Sequence, residues 1–449
     1  MADKKYVHAL AGLVFDPLIA AHETAIVPDQ WLQPVRDARA TARQASKLAA
    51  GALQDAGKGD FNTALLSVFA SIKTAEGNIP GKTYWPQAPL SVADAVVMPK
   101  ASASLSSKPW DLFLAKTGDL KALYEGAADE TLPQFIENLL YLLQLYTWCL
   151  PCSYQASLPD VSLYDHSRMT AALASALAEQ KTGESGLAQL VGGDLSGIQR
   201  FIYTITARGA TSSLRGRSFY LQMLTETAAR YTLARLGLPI TSLVYAGGGN
   251  FYILAPANAG LEEIQRYIRQ VLLQHHRGEL YLAVASVTLL EKDFFKGEIA
   301  ARWQSLGDAL NRAKLRTFAE LGPDLVKLFA PQGNGGDENT WCQVCGLEHA
   351  QTSQANPDAP RKCPPCAAYE ELGRDLRLAR FLVYRATPPT PFTLDMESPG
   401  GDWKKVLGQL GWQAFPADSL QGLSLGAETA ILALDDDSYQ ELKPGVGKA

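Results

Sequence analysis

Between residues 187 and 290, short apolar runs and longer amphipathic runs follow one another in a fixed order, and that order restricts the fold more than any other feature. "LAQLVGGDLSGIQRFIYTI" begins as a buried strand and runs into a turn. "SSLRGRSFYLQMLTETAARYTLARLG" reads as an amphipathic helix closed by Gly237. In "SLVYAGGGNFYIL", Leu243 to Tyr245 and Phe251 to Leu254 are apolar and flank Gly247, Gly248, Gly249 and Asn250. Glycine and asparagine supply the positive φ of a tight hairpin turn. "GLEEIQRYIRQVLLQHHRG" is a second helix, ended by Gly278, and "LYLAVASVTLL" is a continuous apolar strand. Strand, helix, strand, strand, helix, strand is the split βαβ arrangement: an antiparallel sheet with helices packed on one face.

The flanking regions differ from this block. Residues 1–157 read as helical, with "DARATARQASKLAAGAL" and "LPQFIENLLYLLQLYTWCL" around a Pro- and Gly-rich loop, "PGKTYWPQAPLS". Residues 331–380 are polar and carry four cysteines, and residues 381–449 are loop-rich with short strands such as "TAILALDD". The expected class is therefore α+β and multidomain, divided at 1–157, 158–330, 331–380 and 381–449. A chain of 449 residues accommodates two to four domains, and 47% apolar with 19% charged residues is globular. No apolar run reaches membrane-spanning length, and the N-terminus lacks the apolar core of a signal peptide. A cytoplasmic protein without membrane contact is expected.

Cys342, Cys345, Cys363 and Cys366 form two Cys-x2-Cys pairs separated by seventeen residues. Two intervening residues let a tight turn present both sulfurs to one ion, and four thiolates close a tetrahedral site. A structural Zn2+ is expected there, in a zinc-ribbon-like insert. Cys149 and Cys152 resemble a redox dithiol but lack the preceding strand, so they read as core cysteines at a helix end. The net charge of −5 excludes a bulk polyanion binder. Between Leu195 and Ile240, however, six arginines stand against one acid, Glu226. Such a stretch is either a solvated helix face or a phosphate-facing surface.

Three further motifs carry no chemistry. Gly335, Gly336, Asp337 and Glu338 look like a cyclase signature but lie in a loop entering the cysteine cluster. Gly81, Lys82 and Thr83 follow the wrong spacing and no strand for a phosphate-binding loop. His275 and His276 sit at a helix end, where histidine caps carbonyls.

Several stretches, in order, resemble one family. They are "LPDVSLYDHSRMTAALASAL" (158–177), "GGDLSGIQRFIY" (192–203), "LRGRSFYLQML" (214–224), "LVYAGGGNFYILAP" (243–256), the four cysteines and "YEELGRDLRLARFLVY". "YWPQAPLSVADAVVMPK" extends the likeness toward the N-terminus. The chain resembles the large signature subunit of type III-A (Csm) CRISPR effector complexes. That family carries an N-terminal HD nuclease domain, a first palm of ferredoxin-like βαββαβ form, a zinc-binding segment, a second palm with a Gly-Gly-Asp-Asp motif, and a C-terminal helical domain. The second palm makes cyclic oligoadenylates from ATP when target RNA is bound.

The sequence departs from the family twice. Phe15-Asp16 replaces the family's His-Asp, with Pro17 following and only His8 and His22 nearby, so an inactive HD-like helical domain is expected. No Gly-Gly-Asp-Asp hairpin follows the cysteines, so either a separate subunit carries the second palm, or the gene or the polypeptide is shortened. In the first palm, Asp194 is the lone carboxylate, Ser196 stands where a second would help, and the hairpin offers only glycine and asparagine. One carboxylate does not hold two divalent ions. No catalytic residue is therefore expected in this chain.

The resemblance implies that Asp194, Ser196, Gly197, Gly247, Gly248, Gly249 and Asn250 line a nucleotide half-site with ATP as candidate ligand. The alternative is a tight fold junction. Arg215 and Arg217 are candidates for RNA or subunit contacts, against an internal salt bridge at the helix start. The implied role is architectural, with guide RNA, target RNA, Csm4-like and small subunits as partners. Its rival is half of a split cyclic-oligoadenylate synthetase working with a separate Gly-Gly-Asp-Asp palm chain. A stand-alone zinc-ribbon RNA-binding protein is the third reading.

Overall fold

A computed structural model describes residues 2–51, 63–71, 81–91, 98–153, 159–180, 186–295, 298–329, 336–395, 400–423, 429–434 and 438. Part of "YWPQAPLSVADAVVMPK" and Gly335 lie outside the described residues. The N-terminal region is helical, as the sequence implies. Its main helices are α1 (Lys4–Leu13), α2 (Asp29–Asp37), α3 (Arg39–Ala49), α4 (Lys108–Tyr124) and α5 (Leu132–Thr147). The Asp3 carboxylate starts α1 by accepting the Lys5 N–H, which otherwise has no helical partner. Leu10, Leu13, Ile26, Trp31, Phe113 and Phe135 fill the core between these helices.

Helix α6 (Leu163–Leu177) links this core to the sheet. Its Leu163 and Ala171 belong to the N-terminal core, whereas Leu173 and Leu177 lie beneath the sheet. A Cβ at Gly12 of α1 would lie 2.5 Å from the Ala171 Cα, so the two backbones touch.

The sheet contains β1 (Ala188–Ser196), β2 (Leu243–Gly247), β3 (Asn250–Pro256) and β4 (Tyr281–Leu289) in the order β2-β3-β1-β4. The paired strands run antiparallel, with Asp194 opposite Asn250 on one side and Ala283 on the other. Along the chain the four strands follow one another as the sequence reads; their spatial order comes from the structure. The turn is Gly248-Gly249, with φ of 60° and 86°.

Both helices of the block pack on one face of the sheet, as expected, but the expectation that helices cover that face alone is corrected. Val191, Leu195, Phe251, Ile253 and Leu282 pack against α8 (Ala210–Leu236) and α9 (Glu262–His276). On the opposite face, Leu190, Leu254 and Ala283 meet Leu306 and Leu310 of α10 (Ile299–Lys314) together with α6. Successive side chains of a strand point to opposite faces. The consecutive apolar pair Leu190-Val191 therefore marks a strand buried on both sides.

Helix α7 (Ile198–Tyr203) follows β1, α11 (Pro364–Asp375) follows the cysteines, and α12 (Trp403–Gln409) lies near the C-terminus. A second sheet, β5 (Phe381–Ala386), β6 (Trp412–Ala417) and β7 (Thr429–Ala433), is antiparallel in the order β6-β5-β7. Leu382, Trp403 and Val406 join the same core as α8. Among the described residues, no helix is long and apolar enough to cross a membrane.

Two glycines bring α8 and α11 into backbone contact. A Cβ at Gly216 would fall 1.8 Å from the Tyr369 carbonyl oxygen, and one at Gly373 would fall 1.8 Å from the Ser212 carbonyl oxygen. Neither obstacle is a side chain that can swing away, so relief requires the helices to separate. Gly216→Ala and Gly373→Ala should each destabilise the chain by about 1–3 kcal/mol or more. Gly307→Ala, in α10 with open space around it, should not destabilise. Chemical denaturation of the three variants checks this.

Candidate functional site

The cysteine cluster forms from two different local structures. Cys342 and Cys345 lie on a turn in which the Gly346 N–H donates to the Cys342 carbonyl, with Gly346 at φ 74°. Bridges between Trp341 and Glu348 and between Ser353 and Lys362 bring the two halves of the segment together. Cys363 is the N-cap of α11, and Cys366 lies in its first turn behind two prolines. The positive end of α11 thus faces the thiols and favours their charged form.

The four sulfurs all lie within 4.8 Å of one another, and Cys345 and Cys363 are 3.8 Å apart. A tetrahedron with metal–sulfur bonds of about 2.3 Å has edges of about 3.8 Å. Four thiols at this spacing could bind a metal, leaving no open position for substrate. Among the described residues this is the one such group of histidine, cysteine and acidic side chains. Hydrogen bonds among the four thiols lower the pKa of Cys342 and raise those of Cys363 and Cys366, so a proton is shed most readily at Cys342.

Arg217 contributes to this cluster from α8. Its guanidinium donates to Cys366 Sγ at 3.3 Å and to the Phe201 carbonyl at 3.1 Å. The Phe201 and Tyr369 rings lie over it at 4.7 and 4.9 Å. Arg217 is only 3% exposed, which corrects its expectation as an RNA contact: phosphate cannot reach it without unpacking the core. Arg215 is half-buried and donates to the Gly373 carbonyl at 2.8 Å. The six arginines do not form one surface either. Arg230 is held between Glu226 and Glu137 at 2.7 and 2.9 Å, while Arg200, Arg208 and Arg235 are exposed.

At the hairpin end of the sheet, nearly every glycine in the sequence motif has a packing reason. A Cβ at Gly193 would enter the Phe251 ring at 2.2 Å. Gly197 has φ 94°, and a Cβ there would meet the Glu279 carbonyl oxygen at 1.9 Å. A Cβ at Gly249 would meet Ile198 at 2.2 Å, while the Gly249 carbonyl accepts the Leu195 N–H. Gly248 alone is open, with nothing within 4 Å of such a Cβ. The structure brings Asp194, Ser196, Gly197 and Gly247 to Asn250 to one end of the sheet, in register.

Sequence reasoning missed the group that meets Asp194. Lys314, the last residue of α10, places its Nζ 2.5 Å from Asp194 Oδ2. A lysine in a last helical turn complements the macrodipole, and only tertiary packing selects its carboxylate. Tyr252, two residues from Asn250 on the same face, contacts Trp303 edge-on at 4.8 Å and lies 6.2 Å from the half-exposed Tyr245. Burial, and then the Asp194 charge, push the Tyr252 hydroxyl pKa upward.

In the N-terminal region, Asp16 is 1% exposed, and its oxygens accept from Leu18 N, Ser153 N and Ser153 Oγ at 3.0, 2.9 and 2.6 Å. His22 lies edge-on to Trp110, and buried His166 contacts the Ser46 hydroxyl at 3.0 Å. Cys149 donates to the Ala88 carbonyl, and burial pushes its thiol up to about 11, as suits a core cysteine. His275 and His276 do not cap carbonyls: His275 contacts Gln409 and accepts the Gly401 N–H, and His276 contacts the Tyr220 hydroxyl at 2.7 Å.

Residues 187–331 match the family model described as Csm1 subunit domain B, which begins at β1. A single-strand-specific deoxyribonuclease Cas10/Csm1 of subtype III-A from Methanocaldococcus jannaschii is 32% identical over 338 residues, covering 63% of this chain and 40% of that protein. A Csm1–Csm4 subcomplex of the type III-A CRISPR-Csm interference complex superposes with TM-score 0.63 at 21% identity, covering 96% of this chain and 57% of that one. A Csm1–Csm4 cassette in complex with one ATP gives 0.62 at 21%, covering 96% and 57%. The chain thus spans less than two thirds of the proteins it matches. In sequence and in fold the chain is similar to Cas10/Csm1 proteins of type III-A CRISPR systems. The particular subunit this chain resembles is Csm1 of subtype III-A.

Burial lowers the His276 pKa to about 3 from an ordinary 6.5. Between those values the unfolded chain binds a proton that the folded chain refuses. Stability from this group is therefore fully present above pH 6.5 and falls as pH drops toward 3, by up to about 1.4 kcal/mol per pH unit. Denaturation midpoints measured from pH 7 to 5 should fall in the wild type and fall less steeply in His276→Gln. Asp16→Ala orphans the buried Ser153 N–H and hydroxyl and should cost about 1–3 kcal/mol in the same assay.

Proposed function

We propose that this chain is an architectural large subunit of a type III CRISPR RNA-guided ribonucleoprotein, without a nuclease or cyclase metal site of its own. Residues 1–157 form an HD-like helical domain, 158–330 a first palm, 331–380 a structural zinc segment, and 381–449 the strands that lead toward a second palm. The partners are guide RNA, target RNA, and Csm4-like and small subunits, in the cytoplasm.

The observation that carries the reading is the ion pair between Asp194 and Lys314. Two-metal phosphoryl transfer needs several carboxylates on a pair of divalent ions. Among the described residues of β1 and the hairpin, Asp194 is the one carboxylate, and the Lys314 ammonium already meets it. Asp16 supports the same reading in the N-terminal domain, because protein donors fill both of its oxygens. RNA contacts fall to exposed side chains and to Arg215 rather than to Arg217.

A second reading is favoured by one observation. The cassette similar to this chain binds ATP, and here the exposed Gly248 backbone lies beside Asn250, Ser196 and Asp194. With a separate palm chain bearing Gly-Gly-Asp-Asp, this end of the sheet would supply half of an ATP site for cyclic-oligoadenylate synthesis.

The test begins with copurification through a tag on this chain. Guide RNA and Csm4-like and small subunits should copurify. Mass spectrometry of ATP incubated with the isolated chain and Mg2+ should find no linked adenylates, and single-stranded DNA should stay intact in Mn2+. Linked adenylates or cleaved DNA from the isolated chain would sink the architectural reading. Adenylates appearing only with target RNA and a second palm chain would establish the split enzyme.

A further inference from the structure

We propose that Arg217 is a positioning residue of the metal centre, fixing the Cys366 sulfur and offsetting the negative charge of the thiolates. The proposal rests on the reading of the four cysteines as a metal site. Arg217 belongs to α8, more than a hundred residues before the nearest cysteine in the cluster, and no spacing pattern links them.

A guanidinium that is 3% exposed requires a compensating partner, because leaving a charge buried and unpaired costs several kcal/mol. Among the described residues, no carboxylate forms an ion pair with Arg217. The side chain instead donates to Cys366 Sγ and the Phe201 carbonyl. Four thiolates around a divalent cation carry a net charge of about −2, which supplies the missing counter-charge. The guanidinium and the loaded centre therefore complete one another.

Geometry makes the assignment specific to arginine. One nitrogen of the fork reaches the sulfur while another holds the Phe201 carbonyl in the last turn of α7, and two aromatic rings fix the plane between them. Lysine keeps the charge but has neither fork nor flat face. Groups that hydrogen-bond to a metal ligand orient it, and their loss typically weakens binding about 10–100-fold.

The experiment uses the full-length chain loaded with Zn2+ alone and titrated with a competing chelator. Co2+ substitution reports the sulfur ligand field by absorption. Arg217→Gln should bind Zn2+ about 10–100-fold more weakly, with a displaced sulfur-to-cobalt band. Arg217→Lys should fold and fall between that variant and the wild type. Arg215→Gln, which removes a bond to the α11 backbone without touching a thiol, should keep wild-type affinity and spectrum. Should Arg217→Gln fail to fold, Arg217→Lys against Arg215→Gln carries the comparison. Wild-type affinity and spectrum in Arg217→Lys and Arg217→Gln would overturn the proposal, as would equal weakening by Arg215→Gln. A wild-type chain that holds no metal would instead remove the metal reading, and this proposal with it.

Discussion

The crossing of α8 and α11 is the constraint on which the rest of the molecule depends. Two helices can approach to backbone contact only where neither carries a side chain, and Gly216 and Gly373 provide that place. The approach puts Tyr369 and Cys366 beside Arg217, and the aromatic core around Phe201 and Tyr220 closes over them. α8 also covers one face of the four-stranded sheet and contributes to the core that holds the C-terminal strands. The cysteine segment is therefore an extension of the central core, not a separate bead on a linker.

The hairpin end of the sheet illustrates how one motif can serve two purposes. Gly193, Gly197 and Gly249 are required by neighbouring atoms, whatever ligand the site takes. Glycines that look like a phosphate cradle in the sequence are, atom by atom, mostly the means by which β1, the hairpin and α7 fit together. What distinguishes this end chemically is the pairing of Asp194 with Lys314, which gives a neutral pair where a cluster of carboxylates would be strongly negative.

Much of the architecture was legible because hydrophobic period and glycine placement are local signals. The succession of strands along the chain, the hairpin turn, the Gly237 end of α8 and the two cysteine pairs all appear where the sequence puts them. Coverage of the second face was not legible in the βαββαβ block, because α6 and α10, which supply it, lie outside residues 187–290. Arg217 was misread because an arginine-rich helix face looks the same in sequence whether it meets solvent or a core. α6 was assigned to one unit, yet its residues divide between two cores, since a helix has faces that sequence order does not rank.

The sequence by itself determined the elements and the two cysteine pairs, because turns, helix periods and Cys-x2-Cys spacing depend on neighbours within a few residues. Only the tertiary structure decided which charge meets which. Lys314 reaches Asp194 across more than a hundred residues, and Arg217 reaches Cys366 across a similar span. Those pairings depend on how close two backbones can come, and that distance is set by packed volume rather than by order along the chain.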